Sequence, residues 1–191
     1  MDVTSFLLYC FIVTFTPGPI NIVIFSTVHN LGAKKALEYA YGATVAFGLL
    51  LVISALLNTV LINIIPKILF VMQIIGSLYM FYLAYQTYKM DTSKPTATIT
   101  GTFMSGFLLQ FLNPKAVIFT MTVIPSFILP HYTVVSAVII GVIVITFIGF
   151  LAFHTWVLFG AIFKKFLQKQ SKIVNAMLAL FLAYSAVMIW L

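Results

Sequence analysis

Apolar runs of twenty residues and more follow one another along this chain, with short polar connections between them. A helix needs about 20 mostly apolar residues to cross the hydrocarbon core of a bilayer. On that scale the sequence predicts six spans, at 3–28, 36–62, 66–88, 103–127, 132–160 and 173–191. Composition agrees. Charged residues make up 7% of the 191 and hydrophobic ones 63%, whereas a soluble domain carries about 25% charge. The N-terminus "MDVTSFLLYC" has no positive leading region, so it reads as the start of a first span rather than a cleaved signal peptide. A single cysteine, Cys10, excludes an internal disulfide and any cysteine-based metal cluster. The net charge is +7 from ten lysines and no arginine. Those lysines are scattered between apolar blocks rather than gathered in a stripe, which argues against nucleic acid as a partner.

The longest connection, 89–102 ("KMDTSKPTATITGT"), is the natural midpoint. Residues 1–191 read as one all-α integral membrane domain, with a first repeat at 1–90, a linker at 91–102 and a second repeat at 103–191. Connections one, three and five hold Lys34, Lys35, Lys89, Lys94, Lys164, Lys165, Lys169 and Lys172, while Lys67 alone lies on the other side. The positive-inside rule therefore puts both termini outside and those three connections in the cytoplasm. Tyr79, Tyr82, Tyr85 and Tyr88 near one membrane face, and Trp190 near the other, suit an aromatic belt.

Two apolar runs are broken where a membrane helix should be continuous. "FTPGPINIVIF" at 15–25 puts two prolines around a glycine, and "FLNPKAVIF" at 111–119 repeats a proline ahead of a similar apolar run. Each break falls in the first span of its half, and three spans per half would invert one half relative to the other. Freed backbone groups in lipid cost several kcal/mol each unless protein or a wet cavity satisfies them. Paired breaks in inverted halves are the strongest sequence pointer to a transporter's midplane site. The alternative for either break alone is a simple proline kink.

These residues resemble the LysE/RhtB family of bacterial amino-acid exporters. "TPGPIN" is similar to that family's PGPN-type signature, with Ile20 standing between Pro19 and Asn21. "NLGAKKALEYAYGATVAFG" and "IIGSLYMFYLAYQ" resemble its second and third spans, and "FMSGFLLQFLNPKAVIFTMTVIPSF" its fourth-span signature. The resemblance implies six spans, no ATP use, no cofactor, and proton-driven export of small amino acids across the bacterial cytoplasmic membrane. Departures include Glu38, where a neutral or small residue is commoner, and alanines in the last span in place of glycines. No Asp or Glu lies deep in a span, and a cationic substrate side chain would need one. A neutral amino acid is the expected substrate.

Substrate-binding candidates are Pro17, Gly18, Pro19 and Asn21 on one wall and Asn113, Pro114 and Lys115 on the other. Lys115, the one lysine inside a span, could meet a substrate carboxylate, carry a coupling proton, or snorkel to the interface. Asn21 and Asn113 could bond freed backbone or hold substrate. Glu38 could pair with Lys34 four residues earlier or serve protons at the cytoplasmic mouth. His154 could relay protons or simply pack. His29 and His131 read as solvated connection residues. Ala36, Ala40, Thr44 and Gly48 form a small-residue packing stripe. With no His, Cys or carboxylate cluster in the spans, a metal-cation exporter is disfavoured. An intramembrane enzyme would need a nucleophile–base pair that is not evident. A passive channel would not need paired breaks. The partners expected are an amino acid, the bilayer and protons, with a homo-oligomer left open.

Overall fold

The computed structural model describes residues 2–89, 101–132, 134–168, 171–188 and 190. All secondary structure among them is helical: α1 (Val3–Phe15), α2 (Pro19–Leu31), α3 (Ala33–Lys89), α4 (Phe103–Phe111), α5 (Pro114–Val123), a π-helical turn (Ile124–Ile128), α6 (Val135–Gln168) and α7 (Ser171–Met188). Residues 90–100, most of the expected linker, lie outside the described residues.

α1 starts at Asp2, whose carboxylate accepts from the Thr4 and Ser5 amides and the Ser5 hydroxyl. Those bonds, the Ser5 hydroxyl foremost, hold its carboxyl below the usual range. α2 and α5 both begin on a proline, Pro19 and Pro114. Proline suits a first helical position because its missing N–H would have had no intrahelical partner there. Each proline therefore starts a helix just after a stretch of non-helical chain. Pro125 does something different. It lies inside the π-helical turn, where Leu129 N–H donates to Ile124 O, one residue beyond the α-helical register.

α3 is one continuous assignment of 57 residues, with non-helical backbone at Leu57. It folds back on itself. Gly42 packs on the Phe103 carbonyl and Gly76 on the Leu112 carbonyl. In a straight helix those glycines would stand about 51 Å apart, whereas the two ends of α4 are only about 14 Å apart. The sequence expectation of two spans at 36–62 and 66–88 left 63–65 as their connection; helical angles are lost at Leu57.

The two broken helices run antiparallel. Phe6 packs near Phe127 and Tyr9 near Phe119, Thr16 meets Lys115, and Thr27 and Leu31 lie against Gly101. The chain bends by 46° between α1 and α2 and by 65° between α4 and its continuation, α5 with the π-helical turn. α3 presses closely on α4. A Cβ added at Gly42 would sit 1.9 Å from Phe103 O, and one at Gly106 would sit 2.1 Å from Tyr39 O. Of the expected small-residue stripe, Ala36 and Ala40 are fully buried and Gly48 abuts Thr146 of α6.

Two helices, Ala33–Leu57 and Val135–Phe163, are each long and apolar enough to cross a membrane, and each bent pair also qualifies when taken as one span. The outward faces carry large apolar side chains: Leu8, Phe11 and Ile12 on α1; Val45 and Leu56 on α3; Ile140, Ile143 and Phe147 on α6; Leu180 on α7. A surface so extensively apolar suits contact with lipid.

Candidate functional site

The first break leaves the last carbonyls of α1 without helical partners, because Pro17 and Pro19 cannot donate and Thr16 and Gly18 are extended. Every one of these carbonyls from Val13 to Pro17 is met by a side chain. The Thr16 hydroxyl donates to Val13 O at 3.1 Å. Asn21 Nδ2 donates to Thr14 O at 3.0 Å and to Thr16 O at 2.9 Å. Trp156 Nε1, from α6, donates to Phe15 O at 3.1 Å. Lys115 Nζ, from the second break, donates to Thr16 O at 3.2 Å, Thr16 Oγ1 at 2.9 Å and Pro17 O at 3.5 Å. The ammonium thus sits at the negative end of α1, where a cation is favoured. Its stem lies over Gly18, and a Cβ there would come within 3.2 Å of both Cδ and Nζ. This is more than a kink: the two breaks are tied to each other.

A cavity of about 40 Å³ lies between them, lined by Val13, Thr14, Gly18, Ile20, Asn21, Phe47, Gln110, Asn113, Lys115, Ala116, Phe119 and Phe153. Binding pockets for small molecules commonly run to about 300–1,000 Å³, so this one has room for only a few waters. The residues that start α2 and α5 border it, and neither helix start is capped by a side chain. Two positive helix ends and one ammonium therefore converge there. The Asn21, Asn113 and Gln110 side chains are buried, and the oxygen of each accepts no hydrogen bond from a described residue.

Of the residues singled out in the sequence, Gly18, Asn21, Asn113 and Lys115 come together at the cavity. Pro17 contributes its carbonyl, and Pro19 and Pro114 start the helices behind it. Asn21 acts on the backbone through its Nδ2, while Asn113 makes no capping bond to α5. Lys115 reaches across to the other break.

Glu38 and His154 lie outside the cavity lining. Glu38 is paired at 2.8 Å with Lys35, three residues before it, rather than with Lys34. His154 Nδ1 donates to Phe150 O at 2.8 Å, and its ring packs against Phe150 and Tyr41. His29 is a correction: α2 runs on to Leu31 and buries the ring, which is 1% exposed, so it is not solvated. His131 is exposed, as expected.

Two residues at the breaks were not singled out in the sequence: Trp156, which bonds Phe15 O, and Gln110, which lines the cavity. A lone amide in "GFLLQFLN", three positions before the break, was the available signal for Gln110. Among the described residues no group of three or more His, Cys, Asp or Glu is placed to hold a metal.

The LysE type translocator family model matches residues 11–191. The cysteine/O-acetylserine efflux protein of Klebsiella pneumoniae subsp. pneumoniae is 31% identical over 189 residues, covering 98% of this chain and 96% of the relative. The proteins of the same name from Escherichia coli K12 and Shigella flexneri are each 27% identical over 188 residues, with 98% and 96% covered. No solved structure matches the chain significantly.

Proposed function

The chain belongs to the LysE type translocators and is a transporter rather than an enzyme; from that premise we propose that it exports small neutral amino acids or close derivatives by alternating access, with protons moving the other way. Cysteine and O-acetylserine, which the relatives' names give as their cargo, are the first substrates to try. The architecture fitting this reading is six spans in two inverted three-span halves in a bacterial cytoplasmic membrane, with both termini outside. The antiparallel run of the two broken helices supports it.

One observation carries the proposal: Lys115 of the second break bonds the freed Thr16 and Pro17 oxygens of the first, at the edge of a cavity that both breaks line. A substrate carboxylate is recognised by the Lys115 ammonium together with the uncapped amides that open α2 and α5. To reach that carboxylate the ammonium lets go of Thr16 and Pro17. Binding substrate and untying the breaks are then one event, and the halves become free to rock. If Lys115 gives up its proton, its charge-assisted hold on those oxygens is lost as well, which makes it the first coupling candidate. Glu38 and His154 are second to it because neither lines the cavity. The absence of a carboxylate among the lining residues favours cargo with an uncharged side chain.

The test is flux into proteoliposomes of labelled cysteine, O-acetylserine, threonine, homoserine, leucine and lysine, with and without an imposed pH gradient. Gradient-stimulated flux of the neutral compounds and not of lysine is the expected result. Flux that ignores the gradient would make the protein a facilitator, and preferred flux of lysine would contradict the neutral-cargo reading.

A further inference from the structure

We propose that the side-chain oxygens of Asn21, Gln110 and Asn113 form an ammonium-binding subsite facing Lys115, so that the cavity takes its cargo as a zwitterion; this rests on the export reading above. The three side chains belong to three different helical segments: Asn21 to α2, Gln110 to the last turn of α4, and Asn113 to the residue preceding α5. They are 4%, 1% and 5% exposed, all line the same cavity, and the oxygen of each is buried and accepts no hydrogen bond from a described residue.

A buried acceptor left without a donor is costly, and three around one cavity are a pattern that a ligand would resolve. The Asn21 amide is fixed in this sense, because its Nδ2 is spent on Thr14 O and Thr16 O. An ammonium group brings three donors and no acceptor, which matches three unpaired oxygens. A carboxylate brings only acceptors and leaves those three oxygens unpaired. Lys115 has the opposite character, donating without accepting. A ligand carrying one group of each kind satisfies both sides at once, and a cationic side chain would have no third partner.

Competition in proteoliposomes reads the subsite directly. Cysteine and 3-mercaptopropionate, which is cysteine without its amine, are compared as competitors of labelled O-acetylserine flux. The wild-type protein is expected to favour cysteine by about tenfold or more, the scale of a charge-assisted hydrogen bond. Gln110→Leu is expected to weaken cysteine while leaving 3-mercaptopropionate unchanged, so that the ratio falls. Gln110→Glu retains an acceptor oxygen and is expected to keep or raise the ratio; it also reads the subsite if the leucine variant fails to fold. A ratio that Gln110→Leu leaves unchanged, whether both competitors hold or weaken equally, or one that Gln110→Glu lowers, overturns the subsite and leaves the export reading standing. A wild-type protein that moves no amino acid overturns the export reading itself.

Discussion

Five consecutive carbonyls at the end of α1, from Val13 to Pro17, have lost their helical donors, and side chains of Thr16, Asn21, Trp156 and Lys115 replace them. In an apolar setting this satisfaction matters more than any single bond's net strength, because an orphaned acceptor bears the full desolvation cost. Trp156→Phe removes the donor to Phe15 O while keeping an aromatic ring against Phe25. It should destabilise the protein by about 1–3 kcal/mol, read as a lowered melting temperature in detergent; an unchanged melt would mean that water or another group serves Phe15 O. Polar residues at the breaks were legible in the sequence because a lysine or asparagine in an apolar run has few innocuous explanations. Trp156 was not, because tryptophan is equally at home packing or in an interfacial belt, and its N–H partner lies 141 positions away. His29 was misjudged because the first predicted span ends at residue 28, whereas α2 runs on to Leu31 and Gly32 terminates it with a φ of 92°, a conformation that glycine adopts readily.

The prolines act at the level of the element. Pro19 and Pro114 occupy equivalent first positions in α2 and α5, and this is why both breaks could be found from local chemistry. The fold-back of α3 offers no such handle, because Leu57, where helical angles are lost, is an ordinary apolar residue with no local signal of a break. Long-range packing decides that point. The contact that holds α3 to α4 is reciprocal, Gly42 on the Phe103 carbonyl and Gly106 on the Tyr39 carbonyl, with no room for a methyl group on either side. Gly42→Ala and Gly106→Ala should each cost about 1–3 kcal/mol by overpacking. The double variant should cost less than the sum, because once the backbones have moved apart the second methyl finds space. Thermal unfolding of the three variants checks this, and strictly additive losses would mean that the two glycines do not share one contact.

At the scale of the whole molecule, the antiparallel broken helices, break beside break, place the only lysine expected inside a span against the other half of the chain. The proposed six-span arrangement with both termini outside makes a labelling prediction, and the chain is convenient for it because Cys10 is its sole cysteine and is buried. In a Cys10→Ala background, cysteines replacing Asp2 and His131 should react with an impermeant maleimide added outside intact cells, while those replacing Lys34 and Lys172 should react only after permeabilisation. Any exchange between those groups would redraw the topology. The central claim, that amino acid crosses where the two breaks meet, is tested most directly by gradient-driven flux of cysteine and O-acetylserine through wild-type and Lys115→Met proteins in matched proteoliposomes. The account predicts robust flux in the first and none above protein-free liposomes in the second, with both proteins folded. Equal flux in the two would remove Lys115 from the mechanism and take the paired-break site with it.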